Sequence, residues 1–453
     1  MKSILKVLAI TMALLLLLLV AGLSALLVAN RQDEALDPAL ASLLATEPPQ
    51  IPVAENGYFA WVGVLGPERE APHAWGYRWF QEALRADRAP FGETQTLAID
   101  AEARKDGLRL EDFGCREIES CLAAVAKWPA DARAVLDKGR VTLARGDLAL
   151  AMLAYQEPWR PNFSYASPLP RTPQHYRLLG ATRFALAVSE GRHDAALDLL
   201  ARAMAFHRRQ AQGATTLIEK LLALANLHTD LQLLNQYMLH APAAARQRQA
   251  RVAELLAPLP ADATSMQRAL LTELRGGVSL FLNLGEQNLF AAASSESRLP
   301  RWLANSLGRS LYLPRASANE HFQLNRGWLA ADALADEDYR RALAEVRRDQ
   351  ESAADDTYAL RNSVGHILIR VAVADYGSFF LRCDDLLALH AMVALQFALL
   401  RSQTADDEAI ARAAAGLRHP YTGAAPVWDK NSRRLIHAAL AERRGKQPLA
   451  IGL

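Results

Sequence analysis

Hydrophobic positions fall along this chain in three regimes. From Val7 to Ala29 there is no charged residue, and Leu14 to Leu19 is an unbroken apolar run. At about 1.5 Å rise per residue, a helix of this length crosses a ~30 Å hydrocarbon layer, which predicts a transmembrane segment. From Arg31 to Glu55, Pro38, Pro48, Pro49 and Pro52 stand among small and acidic residues, which reads as a tether. Beyond Asn56 apolar residues recur at intervals of three and four, the period of an amphipathic helix. The segments are Ala132 to Tyr155, Gln174 to Glu190, Asp194 to Gln210, Thr215 to His240, Ala243 to Leu256, Ser265 to Leu284, Pro300 to Leu311, Asn319 to Leu334, Glu337 to Gln350, Val364 to Tyr376 and Asp384 to Gln403. The prediction is an all-α chain, with one N-terminal transmembrane helix and a multi-helix hairpin domain. Residues 1–30 form a cytoplasmic stub and signal anchor, 31–55 the tether, and 56–453 the exported domain, with a subdivision placed near 257–300.

Two regions depart from simple periodicity. Leu386 to Leu400 is apolar, but His390 and Gln396 interrupt it and Asp384 and Asp385 precede it, so a buried core helix is expected rather than a second span. After the turn His419-Pro420-Tyr421-Thr422-Gly423, Pro426 to Trp428 and Arg434 to Ala438 read as strands joined through Asp429 to Ser432, a small C-terminal β-hairpin. Tyr58, Phe59, Trp61, Trp75, Tyr77, Trp79 and Phe80 crowd one short span. They suit a membrane-interface or partner patch, but packing of the first helices is the expected use.

Charge sets the orientation. Lys2 and Lys6 precede the apolar helix while Asp33 and Glu34 follow Arg31, so the positive-inside bias keeps the N-terminus in the cytoplasm and the bulk outside. In a bacterial cell that means the inner membrane and the periplasm; abundant Ala, Leu and Arg with few Lys suit such a source. A cleaved signal peptide carries a shorter apolar region of ~7–15 residues and a small-x-small site. Leu26-Leu27-Val28-Ala29-Asn30 is a poor site, so retention is expected, with Ala21, Gly22 and Ala25 leaving some room for cutting.

The 51 basic and 49 acidic residues nearly balance and form no like-charged block, so nucleic acid is not an expected partner. Of three cysteines, Cys115 and Cys121 are the pair an oxidising compartment could join. On one continuous helix six residues separate Cα atoms by about 9 Å, beyond the ~7 Å bridging limit, so a bond needs Cys115 outside the helix, where Gly114 favours a loop. Free thiols stay equally open, because Ile118, Cys121, Leu122 and Val125 make an ordinary core face. Cys383 reads as a buried apolar residue.

Catalytic signatures are scarce. The eleven histidines show no i, i+3 or i, i+4 pairing, so no metal site is expected; Cys383 and His390 lie two turns apart, and His366 and His390 read as core or surface residues. The exported region has neither Gly-x-Ser-x-Gly nor Ser-x-x-Lys. Acid pairs such as Glu117 with Glu119 or Asp384 with Asp385 read as solvated faces. Gly276-Gly277 lacks the P-loop Lys and reads as a helix break or close crossing, so no cofactor is expected. Glu320, His321, Asn325 and Arg326 form the one polar cluster worth testing as a site.

Gly191 between two helices, with Ala196, Leu200 and Ala203 on the second, resembles the tetratricopeptide repeat, in which Gly and small residues let antiparallel helices approach closely. Gly146, Ala151 and Tyr155 echo it. The interval between the glycines exceeds that family's ~34 residues and its Trp-Leu-Gly-Tyr signature is missing, so the resemblance implies one tight αα-hairpin. The order of anchor, tether, Asn56-Gly57-Tyr58-Phe59, the Cys pair, many helices, Asn362-Ser363-Val364-Gly365, Pro420-Tyr421-Thr422-Gly423 and Trp428-Asp429 resembles uncharacterised membrane-anchored periplasmic proteins of proteobacteria. Ser363 stands where those proteins often have Pro. That resemblance implies an envelope location and brings no activity with it.

These features imply a single-pass scaffold or binding module with an envelope protein as partner, rather than an enzyme. The alternative is an envelope hydrolase acting on glycan or peptide, whose residues meet only in the fold.

Overall fold

The structure, a computed structural model, describes residues 2–45, 50–86, 97–103, 115–158, 171–284, 310–355, 360–372, 375–404, 406–438 and 448–453. The chain is all-α, 74% helical, with a small sheet at its end. In chain order the helices are α1 (Lys2–Ala29), α2 (Pro38–Ala45), α3 (Gly57–Val62), α4 (Pro72–Ala86), α5 (Cys121–Lys127), α6 (Pro129–Lys138), α7 (Arg140–Leu150), α8 (Arg171–Ser189), α9 (His193–Gly213) and α10 (Leu217–His240). They continue with α11 (Pro242–Gln247), α12 (Gln249–Leu255), α13 (Ala261–Thr264), α14 (Gln267–Leu284), α15 (Pro314–Asp332), α16 (Asp336–Asp355), α17 (Ser363–Ala372), α18 (Gly377–Ser402) and α19 (Asp407–Ala414). Strands β1 (Val427–Asp429), β2 (Arg434–His437) and β3 (Leu449–Gly452) follow. Most of the segment Pro300 to Leu311 lies outside the described residues.

Two compact units share the chain. The first comprises Met1–Glu47, Glu273–Ala330 and Ala342–Asp375; the second comprises Pro48–Thr272, Ala331–Arg341 and Tyr376–Leu453.

In the first unit, α1 is long and apolar enough to cross a membrane, and none of Ile10–Ala29 is buried by protein. The stretch after it does not behave as a tether. Asn30 is buried, and its side chain donates to Leu360 O at 2.9 Å and accepts from Asn362 N at 2.6 Å. The Asp33 carboxylate receives Arg315 N and Ala316 N in the first turn of α15, where an anion is favoured. Asp37 accepts from Ala39 N at 2.8 Å and caps α2. Pro38 opens that helix instead of breaking the chain, because a first-turn residue needs no N–H donor. Leu40 then packs with Leu274, Val278, Phe281, Ala318, Phe322 and Ile369 in the core of the unit.

The second unit begins with a pair of very close helices. A Cβ at Gly76 would lie 1.9 Å from Phe59 O, and one at Gly63 would lie 1.7 Å from Pro72 O. This contact brings Trp61 and Trp79 into a core with Tyr58, Phe59, Phe80 and Phe206, so the crowded aromatics pack helices. The long segment expected from Ala132 to Tyr155 breaks at Gly139 and ends at Leu150. The Leu179 methyl groups lie against Gly139, where a Cβ would meet them at 2.5 and 2.7 Å and force them to shift. Tyr155 lies instead in an extended strap, where Asn56 pairs with Ala154 and Asn56 Nδ2 donates to Gln156 O at 2.7 Å. Similarly, Ala243 to Leu256 divides at Arg248 into α11 and α12.

Helices α8, α9 and α10 form successive antiparallel hairpins. Gly191, with φ +72°, makes the left-handed turn between the first two. Thr216 caps α10 by accepting from Glu219 N, while its own N–H goes to Glu157 and not back to Glu219. α18 packs along α10 and buries Leu386, Leu389, Met392 and Val393, as expected of a core helix. The terminal sheet has the antiparallel order β1-β2-β3, with Val427 opposite Ile436 and Leu435 opposite Ile451. Its third strand, not foreseen from sequence, is held to α10 by Asn235 Nδ2 donating to Gly452 O at 3.0 Å.

Cys115 sits in a turn and Cys121 is the first residue of α5; their sulfurs are bonded, with Cα atoms 4.2 Å apart. We expect a maleimide to label neither residue before reduction and both after it in unfolded protein. Complete labelling of Cys115 in unreduced, unfolded protein would contradict the bond.

Candidate functional site

Three histidines are paired with carboxylates among the described residues, and their second nitrogens separate them. His419 Nε2 meets Asp385 at 2.9 Å while its Nδ1 accepts from Tyr421 N at 3.2 Å. Both ring nitrogens are occupied, which suits a structural tie at the Pro420 turn. His366 Nδ1 meets Glu320 at 2.7 Å on a half-buried surface of the first unit. His207 Nδ1 meets Asp230 at 2.7 Å with both side chains buried, and no other hydrogen bond to the ring is found among the described residues.

The His207 pair is the candidate site. His207 lies on α9 and Asp230 on α10, so the hairpin's close packing brings together residues far apart in sequence. Burial raises the Asp230 acid above the ordinary carboxylate value, opposed by His207 and more distantly by Arg208 and Arg177. Both residues line a narrow cleft of about 40 Å³ with Arg177 and Arg183 of α8. A Cβ at Gly180, on the same wall, would meet nothing within 4 Å. Arg183 is held by Asp147 at 2.8 Å. Arg177 reaches the Thr229 hydroxyl at 3.4 Å, and burial lowers its pKa. A carboxylate that fixes one imidazole nitrogen leaves the other for proton transfer. The neighbouring Thr229 hydroxyl donates to Ala225 O at 2.9 Å, an ordinary intrahelical bond, so it is not set up as a nucleophile by the imidazole.

Below this pair lies a second polar group. The Glu157 carboxylate accepts Thr215 N at 2.9 Å, Thr216 N at 2.7 Å and both threonine hydroxyls, at the start of α10. Glu219 is fully buried and accepts from Tyr155 OH and from Gln210 Nε2 at 2.8 Å. Burial, and then the charge of Glu157, push its carboxyl up to about 7. Glu157 has four donors at the start of α10, whereas burial disfavours ionisation of Glu219. This arrangement joins the strap to α9 and α10.

The cluster expected from sequence does not assemble. Glu320 turns to His366, whereas His321, the next residue, points inward: it packs on Phe281 with ring centroids 5.2 Å apart. Adjacent helical residues are about 100° apart around the axis, so they face different surroundings. Asn325 follows His321 inward and donates to its carbonyl at 2.8 Å, while Arg326 is exposed. Burial lowers His321 to about 4, which keeps the ring neutral. Gly277 makes room for it, since a Cβ there would lie 2.3 Å from His321 Nε2; α14 passes through Gly276-Gly277 unbroken, so the pair serves a close crossing. Among the described residues no three His, Cys, Asp or Glu side chains converge as a metal ion would require.

His207 and Asp230 carried one signal in the sequence. Each interrupts an apolar helix face, Asp230 between Leu227 and Leu234 and His207 after Ala203 and Met204. A polar side chain on such a stripe needs a buried partner. No family model, curated protein or solved structure matches the chain.

Proposed function

We propose that this protein is a single-pass, membrane-anchored binding module of the bacterial envelope, with its helical units on the periplasmic side and another envelope protein as partner. The observation that carries this reading is the exit of α1. Its apolar length is uncovered by protein, yet Asn30 at its end is bonded into the fold at residues 360 and 362. A helix so integrated reads as a retained anchor rather than a removable leader. Lys2 and Lys6 before it favour a cytoplasmic N-terminus.

Full-length protein carrying an alkaline phosphatase reporter at its C-terminus is expected to be active in intact bacteria. Detergent-solubilised full-length protein, crosslinked in the envelope beforehand, is expected to recover one protein in stoichiometric amount. A reporter that works only in the cytosol overturns the topology. Recovery of no envelope protein overturns the binding role.

A second reading is favoured by His207 and Asp230: a hydrolase acting on envelope glycan or peptide, with His207 as proton carrier. The readings separate on H207A. A hydrolase loses turnover with this change and keeps partner recovery, whereas a binding module has no turnover for it to remove.

A further inference from the structure

Helix α17 is apolar over one wide arc, with His366 and Arg370 on its polar edge. Its inner side carries Ile369, wholly buried in the core of the first unit, and Gly365, where a Cβ would lie 2.2 Å from Ser317 Oγ. Leu368 still packs against this core, and farther round the helix come Val364, Ile367 and Val371. Ile367 is 62% exposed, Val371 83%, and Leu360, just before the helix, 64%. An amphipathic helix normally keeps its apolar arc covered. Three large aliphatic residues exposed on one turn-and-helix make a surface patch that water disfavours.

What lies beside this patch is the exit of the apolar helix. Asn30 Nδ2 donates to Leu360 O, Asn362 N donates to Asn30 Oδ1, and Arg361 pairs with Glu34. The last exposed turn of α1 and the first residue of the patch are therefore held within a hydrogen bond of each other. We propose that the outer side of α17, with Leu360, is a second membrane contact, seated in the lipid headgroup and upper acyl zone of the leaflet through which α1 emerges. This rests on reading α1 as a membrane span. Interfacial helices bury their apolar face by ~5–10 Å, a depth open to side chains hydrogen-bonded to the end of a span. The first unit would then stand on the bilayer by two contacts, one crossing it and one lying in it.

The test uses full-length protein in phosphatidylcholine vesicles, with an environment-sensitive fluorophore on single introduced cysteines. Native thiols do not compete, because Cys115 and Cys121 are bonded and Cys383 is buried. Labels at V371C and L360C are expected to emit blue-shifted light and to be quenched several-fold more by spin-labelled lipid than a label at D349C, an exposed position of the same unit. Aqueous iodide should give the reverse order. The pair I367E/V371E should abolish lipid quenching at L360C while a label at L17C stays lipid-quenched. Iodide quenching at V371C equal to that at D349C, with L17C still quenched by lipid, overturns the second contact alone. Loss of lipid quenching at L17C in the parent overturns the span and this proposal with it.

Discussion

Replacing Arg145 by alanine is expected to destabilise the second unit by about 2–3 kcal/mol, the order for losing buried hydrogen bonds from a charged donor. The guanidinium is buried and donates to four backbone carbonyls of the turn between α3 and α4: Gly63 O at 2.7 Å, Val64 O at 3.1 Å, Pro67 O at 3.0 Å and Glu70 O at 2.6 Å. Gly63 O and Pro67 O also accept from Gly66 N and Glu70 N, and Arg145 ties all four carbonyls together where the chain reverses to bring Gly63 against Pro72. Deleting the side chain takes one donor from each of these carbonyls and opens a cavity beside Trp75. Lysine should rescue little, since one ammonium cannot span a fan of acceptors that a planar fork reaches. The measurement is thermal melting followed by near-ultraviolet circular dichroism, which reports Trp61 and Trp79 in the adjoining core. An R145A melting curve that overlays the parent's would refute this account.

A comparable effect is expected from pH, centred on Glu219. Its carboxyl is raised in the folded protein, from an ordinary 4.5 to about 7, by burial and then by Glu157. Its contribution is therefore fully present below the unfolded value. It is lost as pH rises through the folded one, because the unfolded chain releases the proton first. The loss across that window is roughly 3 kcal/mol. Asp384, also raised to about 7 by burial, slopes the same way, while His321, lowered to about 4, gains stability as pH rises toward the ordinary histidine range. The informative quantity is thus the difference between parent and E219Q. Glutamine keeps an oxygen for Tyr155 and Gln210 and never ionises. Denaturant unfolding from pH 5 to 8 should show E219Q gaining on the parent steadily and exceeding it at the alkaline end. A constant offset would place the proton elsewhere.

Several elements were legible because their pattern is local. The apolar length of α1, the three-and-four spacing of α8, α9 and α10, and the polar interruptions of α18 each lie within one stretch of sequence. The breaks at Gly139 and Arg248 were not, because apolar spacing continues across them and only the packing of Leu179 onto Gly139 requires the first. Pro38 looked like a linker residue until Asp37 proved to be a cap and Leu40 a core residue. β3 is short and separated from its partner strand, so no hairpin signal announced it. The candidate site was hidden for the same reason. His207 and Asp230 meet across a hairpin, and Glu157 and Glu219 meet where a strap crosses it; neither pair forms a sequence motif. The polar cluster at Glu320 was over-read, because proximity in sequence placed its members on different sides of α15.

The buried Asn30 has a practical consequence for work with a water-soluble fragment. Trimming the chain to begin at Arg31 would take away a side chain that both gives and receives a hydrogen bond at residues 360–362, leaving those backbone groups to find water. Such a fragment would be loosened at the point nearest the bilayer, and comparisons with the intact protein would register damage as well as the loss of lipid.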